Sequence, residues 1–76
     1  MNQKELISEF AANLRAERAR RKYTQEYLAE KADITADYMT KIELEKYNPS
    51  IFVVAKIAVA LGVSLDKLIP LDKYIN

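Results

Sequence analysis

Residues 24–43 constrain this chain more than any other stretch, because they hold two short helical patterns joined by a turn too brief to be a linker. Thr24 is a good N-cap, its hydroxyl able to accept from an orphan N–H of the following turn. Leu28, Ala29 and Ala32 then form one apolar face at helical spacing. Asp33 and Ile34 carry the chain round a corner. Thr35 offers a second N-cap, and Met39 and Ile42 anchor a second amphipathic turn. Ala29 has a side chain small enough for the second helix to cross closely over the first. Two helices so joined make a helix-turn-helix, a supersecondary unit whose second helix can enter a DNA major groove.

The remainder of a 76-residue chain has to complete a core around that unit, which is the work of one domain, residues 1–76. Half of the residues are apolar and 30% are charged, with one Gly and two Pro, a folded and helix-rich composition. With no Cys there is no disulfide staple and no indication of redox compartment. No apolar run is longer than residues 51–55, far short of the ~20 residues that a membrane span needs. The polar start Asn2, Gln3, Lys4, Glu5 lacks a signal-peptide pattern, so a cytoplasmic protein without membrane association is the expectation.

A net charge of +1 is a weak argument for any partner, but its distribution says more. Arg15, Arg18, Arg20, Arg21 and Lys22 stand against the single acid Glu17. Such a cluster can follow a phosphate backbone. It can equally be a solvated face with cations suited to a helix C-terminus.

Five helices and no strand fit the pattern, an all-α fold. The first covers residues 4–22, with Leu6, Ile7, Phe10, Ala11, Leu14 and Ala16 on or near its buried side. The helix-turn-helix occupies about residues 24–44. Asn48 as N-cap and Pro49 at the first helical position open a fourth helix over residues 49–61, stopped by Gly62 in a left-handed C′ role. Ile51, Val54, Ala55, Ile57, Ala58 and Leu61 supply its core face. Ser64 caps a short fifth helix over residues 65–69, ended by Pro70.

These residues resemble the lambda-repressor/Cro-like, or xenobiotic-response-element (XRE), helix-turn-helix family. The likeness lies in Leu14, Arg15 and Arg18; in Thr24-Gln25-Glu26 and Leu28-Ala29-Glu30-Lys31-Ala32; and in Tyr38 with Lys41-Ile42-Glu43. It continues through Asn48-Pro49-Ser50 and Leu61-Gly62-Val63-Ser64-Leu65. The resemblance implies a compact five-helix fold that binds operator DNA, usually as a dimer, and represses or activates transcription. Two positions depart from it. Asp33 stands where the family commonly has Gly in the corner, and Asp is among the residues that visit the left-handed region readily. Glu45 stands where Gly is also favoured, at a cost of roughly 1–2 kcal/mol if left-handed, so a longer third helix or a reshaped end is expected.

By the same resemblance, Gln25 contacts a phosphate, and Thr35, Ala36, Asp37, Thr40 and Lys41 occupy base-reading positions. Thr35 and Ala36 can touch a thymine methyl, Asp37 can accept from cytosine N4, and Lys41 can reach guanine O6 and N7. Asp37 can instead serve the helix dipole and repel non-specific DNA. Tyr38 can give its hydroxyl to a phosphate or pack as a half-buried ring. Arg18 and Glu43, by resemblance, form a buried salt bridge between the first and third helices. Lys46, Tyr47, Asn48 and Ser50 stand where the fourth helix begins, and its free N–H groups there suit a second phosphate.

Phe52, Val53 and Val59 are left over from the core face of the fourth helix, and Phe52, Lys56, Val59 and Val63 recur as a second stripe turned away from the core. With Leu65, Leu68, Tyr74 and Ile75 they make a candidate homodimer surface, so that residues 49–76 carry dimerisation. Catalysis is not expected: there is no His or Cys, no Gly-rich phosphate loop and no cluster of metal ligands. No cofactor, metal or small-molecule ligand is indicated. The expected function is sequence-specific regulation from a pseudo-palindromic operator, as in phage-type repressors, operon regulators or restriction–modification controllers. The competing reading is an antitoxin-like or adaptor module that keeps the fold and binds protein instead.

Overall fold

The first helix, α1 (Gln3–Arg20), starts where Asn2 Oδ1 accepts from the backbone N–H of Glu5 at 2.9 Å. In the computed structural model, which describes residues 2–75, α1 is followed by α2 (Gln25–Lys31), α3 (Ala36–Glu43), α4 (Ile51–Leu61) and α5 (Leu65–Leu68). A 3-10 turn, Leu71–Tyr74, comes last. Thr24 and Thr35 cap α2 and α3, accepting from Tyr27 N and Tyr38 N at 3.0 Å each. Each hydroxyl satisfies a donor that the helix itself cannot. Leu28 and Ala29 of α2 and Met39 and Ile42 of α3 are buried against one another, beneath α1 and α4.

The core is a single cluster in which Phe10, Leu14, Leu28, Met39, Ile42, Ile57 and Leu68 bring all five helices together. Phe10, Leu14 and Glu17 recur at i, i+4 and i+7 and form the inward stripe of α1. Ala16 lies off that stripe and is exposed, so Glu17 and not Ala16 faces inward. Asn13 extends the docking of α1, its Nδ2 donating to Leu68 O at 3.0 Å.

Two helix starts differ from the sequence expectation. α4 is capped by Ser50, which accepts from Val53 N at 3.2 Å, and Asn48 and Pro49 lie in the preceding loop. Asn48 and Ser50 are both competent caps two residues apart, and the later start still turns Val54, Ile57, Ala58 and Leu61 inward. Ile51 is consequently the first helical residue and is 59% exposed, outside the core. At α5, Ser64 holds the N-cap position without a side-chain cap bond, because its hydroxyl turns to Asp66.

The ends of α1 to α4 repeat one device. A left-handed residue follows each helix: Lys22 at φ 58°, Asp33 at 58°, Glu45 at 64° and Gly62 at 73°. The next backbone N–H then reaches back into the helix: Tyr23 to Arg18 O at 3.1 Å, Ile34 to Ala29 O at 3.0 Å, Lys46 to Lys41 O at 2.9 Å, and Val63 to Ala58 O at 3.0 Å. These are Schellman closures. Asp33 therefore keeps the corner of the helix-turn-helix. Glu45 neither lengthens nor reshapes α3: it takes the left-handed pose, and the bond from Lys46 offsets part of the steric cost.

Candidate nucleic-acid interface

The burial of Met39, Ile42 and Glu43 fixes which edge of α3 faces outward. Thr35 and Asp37 on that edge are exposed, and Ala36, Tyr38, Thr40 and Lys41 are half-buried. The short corner at Asp33 sets this helix across α2, so the fold presents one polar helix edge as a unit.

A network beneath that edge holds it in place. Arg18 Nε donates to Glu43 Oε2 at 2.7 Å, its Nη2 to Glu43 Oε1 at 3.0 Å, and its Nη1 to Tyr23 O at 2.9 Å. The fork is bidentate, the strong geometry for a guanidinium on a carboxylate. Gln25 Nε2 donates to the same Glu43 Oε1 at 3.0 Å. Thr40 Oγ1 lies 3.0 Å from Gln25 Oε1 and 3.0 Å from Ala36 O, and its one proton serves either acceptor. The side chain of Gln25 thus ties α2 to α3. One proton of the Gln25 amide remains, so a phosphate at this point would meet that N–H together with the backbone N–H groups that open α2.

The basic cluster at the end of α1 is not a free electropositive surface. Arg15 Nη1 donates to the backbone carbonyl of Glu43. Arg20 Nη1 and Arg21 Nη1 reach Glu17 Oε2 and Oε1 at 2.7 and 2.6 Å. The hydrogen bond from Arg21, then that from Arg20, holds the Glu17 carboxyl below the ordinary glutamate value, against the opposing effect of burial. Four of the five cations in the run that could follow a phosphate backbone are therefore engaged within the protein.

On the outward edge, Lys41 Nζ sits 3.0 Å from Asp37 Oδ2 and 3.5 Å from the Tyr47 hydroxyl, with the Tyr47 ring centroid at 5.4 Å. The hydrogen bond to Asp37, then that to Tyr47, raises the ammonium above the ordinary lysine range, so it stays charged at neutral pH. Tyr47 packs in turn on Tyr38, centroids 5.5 Å apart, and Tyr38 rests against the core. The loop between α3 and α4 is in this way fastened to the outward edge. Lys46, Asn48 and Ser50 are exposed along it, the Ser50 hydroxyl serving as the cap of α4.

One surface feature lies outside the sites expected from the sequence. Tyr23 and Tyr27 stack edge to face at 4.8 Å, and Lys31 Nζ lies 5.6 and 5.7 Å from their centroids. The i, i+4, i+8 spacing of Tyr23, Tyr27 and Lys31 was the available signal, with cation and rings brought onto one side.

The expected dimer surface divides. Phe52 and Val59 are 77% and 81% exposed and border one apolar groove with Ala55, Lys56 and the end of α2. Val53 and Val63 pack against the core. Leu65 borders a second apolar hollow with Leu6, Ile51, Ile69 and Leu71. Leu68 is fully buried and belongs to no surface: on so short a helix it is the residue that anchors α5 beneath Asn13. Tyr74 is half-buried beside Glu5, Ser8, Glu9 and Ala12 of α1, where Lys73 pairs with Glu9 at 2.8 Å, and Ile75 is exposed. Among the described residues no group of His, Cys, Asp and Glu is placed to hold a metal ion, and no helix is long and apolar enough to cross a membrane.

A helix-turn-helix family model matches residues 14–68. The immunity repressor protein of Bacillus phage phi105 is 39% identical over 56 residues, 74% of this chain, and the matched part spans 39% of that repressor's length. Among solved structures, the restriction-modification controller protein C.AhdI from Aeromonas hydrophila superposes with a TM-score of 0.83 at 25% identity, over 90% of this chain and 99% of its own. The clp gene regulator ClgR from Corynebacterium glutamicum gives 0.79 at 28% identity, over 83% and 67% of the two chains. Taken with the capped α2–α3 pair and its outward polar edge, these matches show that the chain belongs to the XRE-type helix-turn-helix family, a family of DNA-binding transcription regulators and not of enzymes.

Proposed function

We propose that this protein regulates transcription by reading a pseudo-palindromic operator as a homodimer, with α3 of each copy in a major groove. The observation that carries the reading is the outward edge of α3. The Arg18–Glu43–Gln25 network lies beneath that edge, and Gln25 reaches Thr40 on the edge itself. Rigid placement of a reading helix is what base discrimination requires. Glu43 is buried in this network and adds no negative charge to the surface. Thr35, Ala36, Asp37, Thr40 and Lys41 face the bases. Gln25 and the free backbone N–H groups that open α2, with Lys46, Tyr47 and Asn48, meet phosphates on either side, and Tyr38 braces Tyr47.

Dimerisation falls to the exposed Phe52 and Val59 on α4, with Lys56 at the rim and Leu65, Tyr74 and Ile75 flanking. A domain this small rarely leaves two large apolar side chains so open, and a two-fold axis through such a patch closes the assembly. Selection of bound sequences from a random DNA pool tests the whole reading. The wild type should enrich two half-sites about 10–10.5 bp apart, or a multiple of that. Phe52→Glu should retain a single half-site and sediment as a monomer. A wild type that enriches no motif at any salt concentration overturns the assignment, and points to a module that keeps this fold for protein partners.

A further inference from the structure

Within the outward edge of α3, one pair of side chains has a chemistry more specific than the rest. Asp37 and Lys41 lie one helical turn apart with Oδ2 and Nζ 3.0 Å from each other, and the Asp37 side chain is 75% exposed. The carboxylate offers only acceptors and the ammonium only donors. Tyr47 limits where the ammonium can swing, since its hydroxyl and ring occupy a second side of Nζ. One of the three ammonium protons is directed at Asp37 and a second toward the Tyr47 hydroxyl, which leaves the third to be shared between two adjacent external acceptors while the ion pair persists.

We propose that Asp37 and Lys41 act as one reading unit for a single G·C base pair in each half-site, an inference that rests on the operator reading above. In the major groove a G·C pair shows two neighbouring acceptors, guanine N7 and O6, and then the cytosine N4 amino donor. The ammonium of Lys41 bridges the two guanine acceptors, and the free edge of the Asp37 carboxylate accepts from cytosine N4. The internal bond between Asp37 and Lys41 joins the two contacts, just as O6 and N4 are joined in the base pair. An A·T pair alternates acceptor, donor and acceptor and then places the thymine methyl, so the ammonium finds one acceptor where G·C offers two adjacent ones. Held in the same register, Lys41 meets the adenine N6 donor where guanine has O6, and the Asp37 carboxylate meets thymine O4, an acceptor, where cytosine has its N4 donor. The pair therefore rewards G·C and penalises other base pairs by repulsion.

The test uses the random-pool selection on the full chain with wild type, Asp37→Ala, Lys41→Ala and the double variant. Thermal melts of each verify that these surface changes leave the fold intact. The wild type should show a G·C pair at one position of each half-site. Each single variant should lose preference at that same position by about tenfold or more, within the range that one good bidentate base contact supplies. The double variant should lose little beyond either single one, because the unit is already broken. Relaxation at two different positions, additive losses, or an A·T pair at the shared position overturns the proposal while leaving the operator reading in place. A wild type without any enriched motif overturns both.

Discussion

Two buried glutamates lie near the end of α1, and they perform different tasks. Glu43 accepts from Arg18, 25 residues away, and from Gln25, so one carboxylate joins three helices. Glu17 accepts from Arg20 and Arg21, three and four residues ahead on or beside its own helix. Both carboxylates accept from arginine, yet only the first spans the tertiary structure. A local ion pair shapes a helix end; a distant one fixes how helices sit together. The orientation of α3, and with it the proposed reading edge, depends on the distant one.

The largest effect that can break this contrast comes from Arg18→Ala. It strands the Glu43 carboxylate, 3% exposed, without its bidentate partner. Loss of one member of a buried pair costs about 3–5 kcal/mol. That is a large share of the roughly 5–15 kcal/mol that stabilises a domain of ordinary size. Denaturant unfolding should show it as a lower midpoint with the slope preserved. A variant that unfolds like the wild type but no longer binds DNA would move Arg18 out of the core network and onto the interface.

The residues that close the two helices sharpen the same comparison at smaller amplitude. Lys22 follows α1 and Glu45 follows α3, and each is left-handed where Gly62 fills the same role after α4. A side chain there costs roughly 1–2 kcal/mol, of which the added freedom of glycine in the unfolded chain returns about 0.4–1 kcal/mol. Lys22→Gly and Glu45→Gly should each stabilise by about 0.5–1 kcal/mol, several degrees in melting temperature for a domain of this size. A loss of stability at either position would mean that its side chain makes contacts worth more than the strain.

These elements also mark how far the sequence alone was legible. Thr24 and Thr35 announced α2 and α3 because capping is local: the donor lies three residues from the hydroxyl. The apolar spacing of Leu28, Met39 and Ile42 then placed the helices against one core. The start of α4 was misplaced for the same local reason, since Asn48 and Ser50 are equally able caps and only packing chooses between them. Charge alone marks the basic run from Arg15 to Lys22, and charge does not reveal that three of its arginines are paired with Glu43 and Glu17. Lys73 with Glu9, 64 residues apart, had no sequence signal at all. On the reading edge, the residue types were visible at once. The bonds among Gln25, Thr40 and Glu43, and between Asp37 and Lys41, needed the fold.

The smallest effect belongs to Glu17, and it completes the contrast through pH. Helix-surface pairs at i+3 and i+4 are worth about 0.2–0.5 kcal/mol each, and Arg20 is largely exposed. Glu17→Gln should therefore cost about 0.5 kcal/mol at neutral pH, several-fold less than Arg18→Ala. The sign of the pH dependence follows from the lowered pKa of the Glu17 carboxyl, set first by the bond from Arg21 and then by that from Arg20. A carboxylate held below its unfolded value binds fewer protons in the folded state, so its contribution is complete above the ordinary value of 4.5. It is lost as pH falls through the lowered folded value. Between about pH 5 and pH 2 the wild type should lose this increment and Glu17→Gln should not, so that their stabilities converge. Stability curves that stay parallel across that range would show that Glu17 is protonated alike in both states, and that its arginines matter no more than the solvent they displace.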